Sequence, residues 1–251
     1  SIHPALTGRV SVLENGIING AVTVQSGGSV TVQGAVMAPV TVRDGLLQVD
    51  ESGSAGAITV DAGGAATING TALSSVDIGP GATLGGSGTV VGPATLSGVL
   101  SPGNSPGVLT FHSDVTLTET NFLRAEIDGP IAGNGAGHHD QVRVQGASFT
   151  AAGTLVPVLR GITGGVSDSY ATRLGESFTI ISADGGVSGD FAALEQPADG
   201  LLPGTRLDTL YEPTAVRLVV TPDHYAAWGE TRNQRAVGAA VDTLRPAAGS
   251  R

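Results

Sequence analysis

In the run Gly103-Asn104-Ser105-Pro106-Gly107 a serine sits between two glycines at the Gly-x-Ser-x-Gly spacing of a hydrolase nucleophile elbow. Such an elbow lends the backbone N–H of the residue after the serine to an oxyanion hole. Here that residue is Pro106, which has no N–H. The run is therefore read as a turn. His138-His139-Asp140 sets three metal-ligand types side by side. Adjacent side chains on an extended strand point to opposite faces, which is poor ligand geometry, and the neighbours are glycine-rich. His138 and His139 are read as solvated loop residues. Gly85-Gly86-Ser87-Gly88-Thr89-Val90 approaches a calcium-binding nonapeptide, but Val90 stands where the ligand Asp is needed. Asp44, Asp61 and Asp77 are read as solvated turn residues rather than an acidic stripe. Trp228 is read as packing on a C-terminal helix rather than as a binding anchor. No Arg-Gly-Asp tripeptide occurs. The expectation is no catalytic residue, no cofactor site and no metal site, with any binding residues unassigned.

Composition points the same way. The chain has 251 residues, 40% hydrophobic but only 4% aromatic, with 39 glycines. Its core must be built from Val, Ile, Leu and Ala, which suits thin β layers with many turns. The net charge is −10, and every basic residue other than histidine is Arg. A nucleic-acid binder needs a clustered basic surface, and there is none. Cysteine is absent, which excludes disulfides and thiolate chemistry. Ser1-Ile2-His3-Pro4 does not begin a signal peptide, and no apolar run reaches the roughly 18 residues of a membrane helix. The chain is read as soluble, or as part of something larger.

The elements that must position these residues follow from an internal repeat. Val22-Thr23-Val24 recurs every 18 residues as Val40-Thr41-Val42, Ile58-Thr59-Val60, Val76-Asp77-Ile78 and Ala94-Thr95-Leu96. Gly27, Gly45, Gly63 and Gly81 keep the same spacing, and Thr31-Val32-Gln33-Gly34 returns as Thr67-Ile68-Asn69-Gly70. Each triplet is apolar–polar–apolar, so each is a strand with one buried face. Strands and tight glycine turns recurring at a fixed short period predict one coil of a β solenoid per repeat. Coils stack at the strand spacing of roughly 4.8 Å. Val22, Val40, Ile58, Val76 and Ala94 should form one interior line, and Thr23, Thr41, Thr59, Asp77 and Thr95 an exterior one. The glycine column should mark a corner with positive φ or close packing. A propeller or sandwich would need longer repeats or no register. A hexapeptide left-handed helix lacks its six-residue apolar column.

After about Leu96 the register is expected to fail. Leu100 to Leu109 forms a double Pro-Gly turn, followed by alternating segments at Val115, Phe122, Val142, Thr154, Phe178 and Ala215. Phe111, Phe122, Phe149, Phe178, Phe191 and Tyr211 gather here. A solenoid's open sheet edges invite aggregation, so its end coils must differ from the rest. This aromatic, non-repeating half is read as a cap. Farther on, Val237, Val241 and Leu244 follow helical spacing between Pro222 and Pro246, and predict a helix that frays if nothing surrounds it.

The order of these motifs resembles type V autotransporter passengers. Gly98 to Phe111 (GVLSPGNSPGVLTF) is similar to the passenger-associated repeat that opens their autochaperone region. Ala125-Glu-Ile-Asp-Gly, Asp140 to Gly146 and Gly153 to Val158 look like its continuation, and Gly189-Asp-Phe191, Leu210-Tyr211 and Val216 to Pro222 like its later part. Asn233 to Leu244 (NQRAVGAAVDTL) resembles the linker helix that sits inside the β-barrel pore of such proteins. The likeness spans about residues 92–245. It implies an all-β, right-handed parallel β-helix, pectin-lyase-like, with a C-terminal β cap and a short terminal α-helix. It divides the chain into a stem (1–91), an autochaperone cap (92–222) and a linker helix (223–251).

The resemblance further implies a stem with adhesin-like character and no enzyme activity. Such a stem is exported through its own outer-membrane barrel to the surface of a Gram-negative bacterium, C-terminal end first. Its partners would be that barrel and a host-surface ligand, with the chain itself a monomer and no cofactor. The alternative is the stem of a protease or esterase whose catalytic domain lies upstream. A carbohydrate-active β-helix enzyme would need clustered basic residues. Arg43 is the only Arg or Lys between Arg9 and Arg124.

Overall fold

The structure is a computed structural model and describes residues 5–6, 8–161 and 170–250. It is a parallel β-helix. Short strands stack into three long sheets, each coil contributing one strand to each sheet. Val22–Val24, Val40–Val42, Ile58–Val60, Val76–Ile78 and Ala94–Leu96 pair in parallel, and the predicted interior and exterior lines run straight through them. The flanking valines, isoleucines and leucines are buried, and the central Thr or Asp faces outward. Asp77 is thus an exposed mid-strand residue rather than a turn residue, whereas Asp44 and Asp61 do lie at corners, Asp61 3.7 Å from Arg43.

One column is corrected. Gly27, Gly63 and Gly81 all have positive φ, at 74°, 84° and 78°, as a tight corner requires. Gly45 is not in their line. It pairs with Gly28, and Asp44 occupies the corner level with Gly27. The corner after Val42 is one residue shorter than the corner after Val24. The next corner, Asp50 to Gly53, is two residues longer than its counterpart and the third, Gly56-Ala57, is one shorter, so the period survives while one glycine slips. A Cβ on Gly45 would lie 2.4 Å from the Gly28 carbonyl oxygen, so close packing selects glycine here.

The stack does not stop at Leu96. The line through Ala94 continues to Val115, Phe149 and Val187, with a longer stretch of chain between each pair. What fails is the 18-residue interval. The coils lengthen because excursions leave the sheets and return to them. The buried core is correspondingly one cluster, running from Val12 to Val220. As coils widen, rings replace aliphatic side chains: Phe111, Phe149, Phe178 and Phe191 are fully buried. The third sheet ends in an antiparallel hairpin, Thr205–Glu212 with Ala215–Pro222, laid against Ser177–Ala183. Beyond it come a 3-10 turn, Tyr225–Trp228, and one α-helix, Arg232–Leu244. No described helix is long and apolar enough to cross a membrane. Val237, Val241 and Leu244 remain 65%, 41% and 85% exposed. The helix is held instead by its Thr231 cap and by its close packing at Gly238.

Candidate functional site

The most densely bonded polar group of the molecule surrounds the turn from Gly103 to Gly107. Local sequence dictates the turn. Gly103 has φ 83°, and a Cβ on it would fall 2.1 Å from the Gly107 nitrogen. The strand Val99–Pro102 ends here in a two-hydrogen-bond bridge between Gly86 and Gly103. The chain then crosses to Val108–Phe111 in the third sheet. Ser105 also has positive φ, 74°, which turns its hydroxyl toward Glu126. On the outer side, Asn104 Nδ2 donates to Asn69 Oδ1 (2.9 Å) and Ser87 Oγ (3.1 Å), tying the turn back to two repeat coils.

Opposite the turn stands an excursion. Phe122–Ile127 runs past the end of its coil, and the chain returns through Ile131–Ala132 and His138–His139, the latter antiparallel to Ile127. Asp140 closes it. Its Oδ1 accepts from the Gly107 N–H (2.7 Å) and its Oδ2 from the Glu126 N–H (2.8 Å). Asn134 Oδ1 accepts from the Val108 N–H (3.0 Å), and the Gly135 N–H donates to the Pro106 carbonyl (2.9 Å). The Glu126 side chain is 4% exposed. Ser105 Oγ donates to its Oε2 (2.5 Å), and Arg124 and Arg160 reach its Oε1 at 3.2 and 3.1 Å. Arg160 Nη1 also donates to Ser105 Oγ (2.8 Å). Turn, excursion and the strand Thr154–Leu159 are therefore welded at one point. A buried carboxylate is tolerated only when so satisfied.

This geometry decides what the serine can do. A nucleophile needs a base and free oxyanion donors. Pro106 offers no N–H, the Gly107 N–H is held by Asp140, and the Val108 N–H is held by Asn134. Arg160 donates into the Ser105 oxygen and draws off its lone-pair density. Ser105 is a fastener between Glu126 and Arg160.

The histidine run is corrected. His139 and Asp140 are 2% and 1% exposed, not solvated, and only His138 is partly open to solvent. The two ring nitrogens of His139 lie 3.0 Å from the Gly129 carbonyl oxygen and 3.2 Å from that of Thr179. The ring meets Phe178 edge to face at 5.7 Å. Burial holds its imidazole below the ordinary histidine range, against the pull of both carbonyls. Burial also pushes the Asp140 carboxyl up to about 7, outweighing its two backbone N–H partners. Among the described residues no group of three or more His, Asp or Glu is placed to hold a metal ion. Gly86 and Val90 of the nonapeptide-like run serve the core: Val90 is fully buried, and a Cβ on Gly86 would sit 2.1 Å from the Ile68 carbonyl oxygen. Trp228 is 44% exposed, donates its indole N–H to the Gly204 carbonyl (3.3 Å) and shares an apolar cleft of about 470 Å³ with Val237 and Val241.

Glu126 and Asn134 carry no site signal in their spacing, and Asp140 carries one only as the end of the histidine run. Asp140 and Asn134 meet backbone N–H groups and Glu126 meets the Ser105, Arg124 and Arg160 side chains, most of them remote in sequence, and only the strand alternation around Ala125 and Val142 hints that neighbouring positions are enclosed. No protein-family model and no curated protein matches this chain.

Proposed function

We propose that the chain is a surface-displayed or secreted autotransporter passenger segment, a structural stem whose C-terminal end nucleates folding during export across an outer membrane. One observation carries this reading. The end that would emerge first is the end held by specific side-chain bonds, at the very run, Gly98 to Phe111, that resembles an autochaperone. A repeat coil cannot bury its apolar face alone, so nucleation is the slow step and a preformed edge removes it. Once the terminal coils stand, each further coil adds a row of ladder hydrogen bonds to an existing edge. The flat hydroxyl-lined exterior and the negative charge suit a rod held in water.

The test is partial unfolding of the full chain. Digestion at rising urea should leave a last resistant fragment lying within residues 92–222, and that piece expressed alone should fold cooperatively by circular dichroism while residues 1–91 should not. A resistant fragment drawn from the repeats, or cooperative folding of 1–91 alone, would overturn the proposal.

A further inference from the structure

Besides Val187–Gly189, which ends the first sheet, the terminal coil leaves two strand edges, Ala193–Leu194 in the second sheet and Thr205–Glu212 at the end of the third. Free edges template pairing with other strands. Two parts of the same chain lie on these edges. Gln196 Nε2 donates to the Leu207 carbonyl (3.0 Å), and the Leu207 N–H donates to Gln196 Oε1 (2.8 Å), so one side-chain amide stands in for a residue of a further strand. The segment after the helix does the rest. Arg245, its side chain only 10% exposed, reaches Asp208, Thr221 and the Pro222 carbonyl and stacks over Tyr225. Arg206 donates to the Pro246 carbonyl (3.2 Å). Tyr211 Oη donates to the Gly249 carbonyl and accepts from the Phe191 N–H, both at 2.7 Å. A Cβ on Gly249 would sit 3.0 Å from the Leu194 nitrogen, so the tail backbone lies directly on the edge strand.

We propose that residues 245–250 are a detachable strap, pinned by Arg245, that keeps the hairpin edge Thr205–Glu212 from pairing with the same edge of a second copy of the chain. The attachment is polar. Pro246 and Ala247 are exposed, the helix that carries the strap keeps its apolar positions in solvent, and the one buried strap residue, Gly249, has no side chain to anchor in the core. The edge itself fits a copy of itself. Leu207 presents its N–H and carbonyl outward to the Gln196 amide, which an incoming strand would replace bond for bond, and Thr209 and Tyr211 face the same way by alternation, while the Thr205 N–H is held by the Leu202 carbonyl. A two-fold centred on Leu207 sets Arg206 across from Asp208 of the second copy. A two-fold centred on Thr209 sets it across from Glu212. Both registers pair opposite charges, and a two-fold interface is the commonest way for a chain to meet itself. The inference rests on the terminal coil alone and is independent of the secretion reading.

The experiment compares the full chain with a form ending at Leu244 and with Arg245→Ala in the full chain. Size-exclusion chromatography with light scattering up to about 100 µM is followed by hydrogen exchange of residues 205–212. The full chain should be monomeric. Both variants should dimerise, with edge exchange in dilute monomer faster by about tenfold or more and exchange at 40–60 unchanged. Adding Arg206→Glu should weaken the dimer. Should the shortened form fail to fold, Arg245→Ala decides by the same readouts. Variants that stay monomeric with unchanged edge exchange, a full chain that is already dimeric, or a dimer indifferent to Arg206→Glu would each overturn the strap.

Discussion

Residues 8–91 and 92–222 share three continuous sheets and one core, yet they are held in different ways. The repeats stack nearly interchangeable aliphatic positions. Their polar groups are met by the backbone ladder and by a few side-chain bonds such as the part-buried Gln48 to Asp50 and the exposed Ser52 to the Gln33 carbonyl. Every buried polar or charged side chain of the described residues lies later: Asn121, Glu126, Asp128, His139, Asp140, Gln141, Thr172 and Thr205. So do the buried phenylalanines. Apolar stacking specifies that coils stack, but any coil fits on any other. Directional bonds between unlike partners specify one arrangement. The solenoid concentrates that specificity at one end, which is where the proposed seed would need it.

The sharpest break in the comparison is expected at the wide coils. Phe149→Ala empties a fully buried site and should cost about 3–5 kcal/mol, whereas Ile58→Val, on the same interior line, should cost about 0.5–1.5 kcal/mol. Urea melts of the two variants measure the ratio. Next in size is Glu126→Ala. It takes the charged partner from the Ser105 hydroxyl and from two half-exposed arginines, and should cost about 1.5–3 kcal/mol, with Arg160→Ala costing less because Arg124 remains. Refolding carries the extra information. If the junction belongs to the seed, Glu126→Ala slows refolding of the whole chain, whereas Ile58→Val mainly speeds unfolding. Equal effects of both on the folding rate would erase the distinction between the regions.

How much of this was legible in the sequence divides along the same line. In the stem, water on one side and core on the other force a period of two. The triplets from Val22 to Leu96 therefore give strands, faces and register together. Even there, Gly45 was placed one position off, because compensating corner lengths leave the period intact. In the terminal part the stacking signal was hidden by insertion. Residues 128–140 separate Phe122–Ile127 from its return, so the line from Val115 to Phe149 has no fixed interval. The burial of His139 and Asp140 had no pattern to betray it, since their partners Gly129, Thr179 and Gly107 are backbone groups. At Thr231 and Gln234 the sequence carries a Thr-x-x-Gln capping signature that fixes the start of the helix.

The pH response sharpens the comparison further, since two buried groups with shifted values, His139 and Asp140, lie in the junction. Asp140 has an ordinary value of 3.8 and a folded value of about 7. The folded state keeps a proton that the unfolded chain has lost. Its contribution is complete below about pH 4 and disappears as pH rises through 7. His139 is lowered from 6.5, so its contribution is present above 6.5 and disappears as pH falls through its folded value. Between the folded value of His139 and pH 6.5 the two oppose each other. His139→Gln should leave a stability that falls more steeply with rising pH than in the parent. Asp140→Asn should tilt the profile the other way. Parallel profiles for parent and both variants in urea titrations would show that neither group is linked to folding.

The smallest effect is expected at the helix, which belongs to neither region. Thr231 Oγ1 accepts from the Gln234 N–H (3.2 Å), and Gln234 Oε1 accepts from the N–H groups of Thr231 (2.8 Å) and Glu230 (2.9 Å). Thr231→Ala removes half of this reciprocal cap and should cost the helix about 1 kcal/mol. Because Val237, Val241 and Leu244 are exposed, little of that loss should reach the sheets. Helical ellipticity should fall at lower temperature than in the parent, while the strand transition stays within the error of the parent. A strand transition displaced as far as by Glu126→Ala would mean that the helix is part of the terminal core, and that the specificity of this end extends past the hairpin.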